Sequence, residues 1–220
     1  MNITAEKMME NYNTFLRRLE LVCPTRYKEI KAMYDDLGEK VVIAPASSYA
    51  HFHNAWAGGY IDHVLRVMDY SLIVYKSYVD LGLNVSNFTK EELLFAAAHH
   101  DLGKMGGVGP GNELYEYNDS DWHRKNQFKE YSKNPNLQTF PIQDRSLFLL
   151  QYYNIKMSEQ EYLGIRIHDG MYDEINKPYL LAFNLDGKLR SNLPLILHQA
   201  DMMAARFEFE RWATKNNFKF

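Results

Sequence analysis

A single cysteine, Cys23, stands in 220 residues. That excludes an intramolecular disulfide framework and a cysteine-ligated zinc site, and a reducing, cytoplasmic setting is the simple expectation. Excess positive charge is also missing. With 25 Lys and Arg against 28 Asp and Glu, the formal net charge is −3, whereas a dedicated nucleic-acid binder is usually strongly basic. No apolar run approaches the roughly 18 residues that a membrane-spanning helix needs. The opening Met-Asn-Ile-Thr-Ala-Glu-Lys lacks a basic start followed by an apolar core, so no signal peptide is expected there. The glycines Gly103, Gly106, Gly107, Gly109 and Gly111 do not form a P-loop, because the G-x-x-x-x-G-K-[ST] pattern is absent. They are expected to make a mobile loop reaching Asn118. No low-complexity linker divides the chain, and its length suits one domain over residues 1–220.

What is present is ordinary in bulk and unusual in detail. Hydrophobic residues make up 46% and charged residues 24%, a balance that permits a sizeable core. The 16 tyrosines, 12 phenylalanines and 10 methionines point to a well-filled core with aromatic-lined grooves. Apolar residues recur at helical spacing over most of the length. Thr4 is placed to cap a first helix through Leu21, with Met8, Tyr12, Phe15, Leu16 and Leu19 on one side, and Pro24 ends it. A second helix is expected from Arg26 to Leu37, stopped by Gly38. Val41 to Ile43 reads as a brief extended segment. A long helix follows Gly58-Gly59 and ends at Gly82. Thr89 with Glu92, and Ser158 with Glu161, are two capping boxes, each opening a further helix. Asp144 is expected to cap a helix through Tyr153, and the last helix to span Leu193 to Trp212. Asn184 to Gly187 reads as a turn in a minor hairpin. The fold class expected is all-α, with at most a small hairpin. Residues 1–40 would form helices packed on a motif-bearing core of about residues 47–210.

Polar residues with metal-ligand chemistry sit where these helices end or on their faces. Ala96-Ala97-Ala98-His99-His100-Asp101-Leu102-Gly103-Lys104 carries an imidazole and a carboxylate together at a helix end, behind small residues that admit a close neighbour. Neutral imidazole nitrogen and carboxylate oxygen bind divalent manganese, iron, cobalt, nickel or zinc. Such a dipeptide is common on its own, where it merely places a histidine at the negative end of a helix dipole. His63 sits among apolar neighbours on the long helix and needs partners for its ring nitrogens. His168-Asp169-Gly170 repeats the layout of residue 100 at the end of another helix. His198 and Asp201 are three apart, hence on one face of the last helix. His99 projects about 100° away from His100 on an ideal helix and is expected to pack elsewhere. His51 is expected at the surface.

The order His63, His100-Asp101, Asp201 resembles the H…HD…D signature of the HD-domain metal-dependent phosphohydrolase superfamily. The segment His53-Asn54-Ala55-Trp56-Ala57-Gly58-Gly59-Tyr60-Ile61-Asp62-His63 is similar to the approach to the first metal histidine, particularly in the HD domain of bacterial 3′–5′ exoribonucleases. Leu94 to Lys104 is similar to the second motif, and His198 to Arg206 to the helix with the final aspartate. Trp122-His123-Arg124-Lys125-Asn126 and Ile167 to Tyr172 are similar to uncharacterised HD hydrolases of phage genomes. The resemblance implies an HD-like helical bundle binding one or two divalent ions, magnesium included among the options. It implies His63, His100, Asp101 and Asp201 as metal ligands, with His123 and His168 either as ligands of a second ion or as general acids. Lys104 is similar to a lysine that some HD enzymes place on a substrate phosphate. Arg124 and Lys125 are further phosphate candidates, Trp122 and Tyr172 candidates for stacking on a base, and His53 a substrate contact.

The expected activity is hydrolysis of nucleotides, as a phosphatase or triphosphohydrolase using a metal-activated water. A 3′–5′ exonuclease, a cyclic-nucleotide or alarmone phosphodiesterase, and a non-catalytic metal-stabilised binding module are the alternatives. The small negative net charge favours a free nucleotide over a nucleic-acid chain as partner.

Overall fold

The structure is a computed structural model and describes residues 3–182 and 184–218. It is mostly helical. Helices α1 (Ala5–Val22) and α2 (Tyr27–Leu37) begin and end close to the sequence signals. Thr4 accepts from the Lys7 amide, and Gly38 adopts φ 57°, a left-handed value that favours glycine. Residues 39–43 are a short helix, α3 (Glu39–Ile43), where an extended segment was expected. The turn at Gly38 starts α2's successor at once, and Val41 becomes fully buried, so packing overrides the β-branched preference.

The long helix is α4 (Gly59–Asp80), followed by α5 (Lys90–His99), whose Thr89–Glu92 capping box is formed on both sides. A 3₁₀ turn, Leu102–Met105, carries the chain out of α5. The glycine-rich stretch is not one open loop: it leads into strand β1 (Tyr115–Tyr117), antiparallel to β2 (Tyr131–Lys133), with Tyr115 opposite Lys133 and Tyr117 opposite Tyr131. The small hairpin therefore lies here. Residues 185–187 instead form a 3₁₀ turn, and Phe183 lies outside the described residues. Between the strands runs α6 (Asp121–Gln127), capped by Ser120.

Helix α7 (Ile142–Tyr152) begins after Pro141 with no side-chain cap. Asp144, expected as that cap, lies inside the helix and pairs with Arg166 at 3.0 Å. Helix α8 (Glu159–Ile167) has its Ser158–Glu161 capping box complete. After the short α9 (Lys177–Leu180), α10 (Leu193–Lys215) closes the fold. Helix α10 packs on α4 and α8, α5 packs on α4 and α8, and α7 covers the 3₁₀ turn. Ala96, Ala97 and Ala98 are fully buried. A Cβ at Gly164 of α8 would stand 3.2 Å from the Ala96 methyl and 2.5 Å from Leu193, which shows how closely α5, α8 and α10 approach. No helix among the described residues is long and apolar enough to cross a membrane.

Candidate metal centre

Helix ends and helix faces converge on one polar cluster inside this apolar packing. Helix α4 brings His63, the end of α5 brings His100 and Asp101, the end of α8 brings His168 and Asp169, and α10 brings Asp201. Their ligand atoms form overlapping groups of three within 4.8 Å of one another: His53, His63 and Asp101; His63, His100 and Asp201; His100, Asp101 and His168; and His168, Asp169 and Asp201. The Nε2 atom of His63 lies 3.0 Å from Asp201 and 3.7 Å from Asp101, and that of His100 lies 3.4 Å from Asp101 and 3.7 Å from Asp201. On the far side, His168 Nε2 is 3.7 Å from Asp101 Oδ1 and 3.4 Å from Asp169 Oδ1. Asp101 thus turns one oxygen toward His63 and His100 and the other toward His168.

The backbone turns that hold these groups are fixed by close contacts. Ser146 of α7 accepts from the Gly103 amide at 2.8 Å, and its hydroxyl lies 2.9 Å from the His100 carbonyl. A Cβ at Gly103 would reach within 2.2 Å of the Ile142 carbonyl, so α7 can cross here only over glycine. At the other end, Gly170 has φ 57°, and a Cβ there would meet the His198 ring at 2.3 Å. His198 donates from Nδ1 to the His168 carbonyl at 2.7 Å, which makes it a support for that turn.

The tautomers follow from what each Nδ1 faces. His100 and His168 meet the carbonyls of Ala97 and Ile165 at 2.8 Å, and His63 meets both oxygens of Glu208 at 3.2 Å. A carbonyl or carboxylate oxygen only accepts, so each Nδ1 carries a hydrogen and any free lone pair of the ring is the Nε2 one, turned to the cluster; a second proton on His63 would lie toward Asp201, 3.0 Å away. Among the described residues, the buried Nε2 of His100 has no hydrogen-bond partner, and that of His63 faces only the Asp201 and Asp101 carboxylates. Unsatisfied buried nitrogen is costly, and a divalent cation is the group that two imidazoles and two carboxylates would satisfy.

Charge balance gives the same answer. Burial works against charge on His63, but Glu208 and Asp201 outweigh it and hold its pKa at about 10. Burial likewise opposes charge on Lys104, yet the adjoining Asp101 leaves its ammonium above its ordinary pKa. Burial would raise the carboxyls of Asp101 and Asp201, but Lys104 and His100 around the first, and His63 and His100 around the second, hold both below the ordinary range. The cluster therefore demands positive charge. A proton on His63 and the Lys104 ammonium provide it, and a metal ion would displace the proton on binding.

Lys104 lies 2.5 Å from Asp101 and 3.2 Å from His53 Nε2. Burial and then the neighbouring Lys104 push the His53 pKa well down, so its ring is neutral and accepts from the ammonium. His63, His100, Asp101, Asp201, His168, His53 and Lys104 are thus all in one place. His123, Arg124, Lys125, Trp122 and Tyr172 are not in these groups. His123 lies on α6, edge-on to Trp122 with ring centres 5.2 Å apart, and α6 is tied to its own hairpin through the Lys129 amide on the His123 carbonyl. Arg124 is engaged by the Asn118 carbonyl and Asp121 and lies 4.8 Å over the Tyr117 ring, so it is committed locally. Lys125, Trp122 and Tyr172 are exposed. His99 packs against Phe95 and Tyr34, away from the cluster. His51 is half-buried among Tyr49, Phe52, Phe128 and Trp212, where the surface was expected.

Two site residues escaped the sequence reading. Asp169 directly follows His168, and a second His-Asp pair at a helix end was the available signal. Glu208 follows Asp201 by two helical turns, which puts both on one face of α10. Comparison with family models, with curated proteins and with solved structures gives no match.

Proposed function

We propose that this chain is a metal-dependent hydrolase of phosphate esters or anhydrides, acting on free nucleotides. The observation that carries the reading is the set of three imidazoles, His63, His100 and His168, each held by an Nδ1 hydrogen bond so that Nε2 turns toward Asp101 and Asp201. His63, His100, Asp101 and Asp201 would hold one ion. His168 and Asp169, with Asp201 shared between the two, would hold another. A divalent ion there would supply an acidified water and neutralise charge on a phosphoryl group.

The chain's own residues supply the rest. Lys104 keeps a positive charge against Asp101, beside the ion site, where it could meet a phosphate oxygen. His53 holds that ammonium in place on its other side. Asp169 is partly open, its side chain 40% exposed, so the approach for substrate runs past the His168 side of the cluster. A polynucleotide track would need a longer basic groove, and the net charge of −3 supports a small substrate instead. The sole cysteine, buried and unpaired, suits a reducing cytoplasm.

Elemental analysis should find one or two transition ions per chain. A panel of nucleotides with manganese should release phosphate or pyrophosphate. Asp101→Ala should lose both metal and turnover. Full metal and activity in that variant would sink the site, and shortening of a labelled oligonucleotide with no mononucleotide turnover would transfer the assignment to an exonuclease.

A further inference from the structure

Behind His63, on the side away from the cluster, lies a buried polar chain that the metal ligands alone do not explain. Glu208 is 3% exposed and presents both carboxylate oxygens to His63 Nδ1 at 3.2 Å. Its Oε1 also accepts a hydrogen bond from Arg66. Arg66 sits one turn past His63 on α4, donates to Asp62 at 2.9 Å, and lies 5.0 Å over the Phe207 ring. Asp62 in turn accepts from Asn54 at 2.8 Å. One helix, α10, therefore touches both nitrogens of His63: Asp201 at Nε2 and, two turns later, Glu208 at Nδ1.

A carboxylate buried this deeply is expensive unless it is paired and hydrogen-bonded. Here the Arg66 guanidinium supplies the counter-charge and His63 the N–H. Arg66 holds the Glu208 carboxylate in place, and Glu208, accepting from Nδ1, fixes the ring's orientation and its tautomer. It also makes Nε2 a more basic ligand than a neutral acceptor would. Acceptors of this kind, one bond behind a metal-binding histidine, typically alter metal affinity by about 10–100-fold when lost. The backbone carbonyls behind His100 and His168 cannot supply charge, so His63 is the one imidazole of the three with an anionic partner at Nδ1.

We propose that Glu208 is a positioning residue that tunes His63 as the strongest nitrogen ligand of the site, with Arg66 holding the Glu208 carboxylate against Nδ1. This rests on the metal-site reading above, though not on any particular substrate. The test uses cobalt(II) as the probe on the full chain. Glu208→Gln should bind cobalt about 10–100-fold more weakly in a chelator competition. Its visible absorption bands should shift at saturation, a change that simple loss of stability does not produce. Glu210→Gln, two residues on and on the exposed side of α10, should match the wild type.

Equal affinity and an unchanged spectrum in Glu208→Gln would overturn the inference while leaving the metal site standing. A wild-type protein that takes up no cobalt would remove both. Should Glu208→Gln fail to fold, nitrogen-15 histidine spectra of the wild type decide the matter. The inference requires His63 to bind metal through Nε2 and to keep a slowly exchanging Nδ1 proton. Metal on Nδ1, or a freely exchanging Nδ1 proton, would refute it.

Discussion

Helices α5 and α8 lie side by side, and their two ends handle buried charge in opposite ways. At the amino ends, Arg26 donates to both oxygens of Glu161 at 2.7 and 2.8 Å and to Glu91 at 3.0 Å. Its guanidinium covers Phe95 at 4.0 Å, and the Ser158 hydroxyl donates to Glu92 at 2.6 Å. Both capping boxes belong to this network, and every carboxylate in it meets a donor. At the carboxyl ends, the His100 and His168 rings stand 4.8 Å apart over Asp101, and His100 Nε2 has no hydrogen-bond partner among the described residues. The same pair of helices is thus closed at one end by a satisfied network and left chemically unsatisfied at the other. A satisfied network stabilises the fold; the other end leaves imidazole and carboxylate atoms grouped closely enough that they could hold a metal ion.

That contrast is open to direct attack, beginning at the satisfied end. Arg26→Ala strands Glu161, which is 1% exposed. The loss should be about 3–5 kcal/mol in urea unfolding, the usual cost of unpairing a buried charge. Burial already holds the Glu161 carboxyl above its ordinary pKa even with Arg26 present, so protonation relieves the variant and its deficit should shrink at pH 5. Cobalt uptake by the folded protein should be unchanged. A loss of metal affinity would show that the two ends are not independent.

An effect that is absent at neutral pH and grows only in acid belongs to His99, one residue before the cluster. Burial, with Arg26 and His100 adding to it, pushes its pKa down from 6.5 to about 3. The unfolded chain therefore takes up a proton below pH 6.5 that the folded chain refuses until about pH 3. Stability from this residue is full above 6.5 and drains away as pH falls through that window, by about 1.4 kcal/mol per unit. His53 is shifted in the same direction and drains in parallel. His99→Phe should keep the ring packing against Phe95 and Tyr34 and flatten the acid slope of the urea midpoint by one of these two contributions. A slope equal to the wild type between pH 6 and 4 would show that His99 is protonated in the fold.

The smallest effects are at the caps. Ser158→Ala and Thr89→Ala each remove a hydroxyl that accepts from an N3 amide. Each should cost about 1 kcal/mol, and Ser158→Ala more than Thr89→Ala, because the Ser158 hydroxyl reaches Glu92 across to α5 at 2.6 Å, whereas the Thr89 hydroxyl meets Glu92 only within its own capping box at 3.1 Å. Identical costs would mean that the bond between the two helices adds nothing.

Most helices were legible because their signals are local: Thr4, Gly38, both capping boxes and the apolar spacing act within a few residues. The misses were also local signals, overruled by contacts made far along the chain. Val41 is β-branched but packs into the core as part of a helix, and Asp144 finds Arg166 in place of a cap. His63, His100, Asp101 and Asp201, which the resemblance in residue order had grouped, do converge in the fold. His123 read equally well beside Arg124 and Lys125, yet α6 is bound to its own hairpin.

The sequence by itself determined which side chains carry nitrogen and oxygen donors, and which helix ends would present them. Only the tertiary structure decided which donors meet, because convergence depends on the crossing of α4, α5, α8 and α10 at contacts as close as Ala96 against Gly164. The same crossing selected the tautomers. A ring nitrogen's role is fixed by what faces its other nitrogen, and Glu208 reaches His63 from 145 residues away. Linear order carries no trace of a contact at that separation. The packed helices supply it.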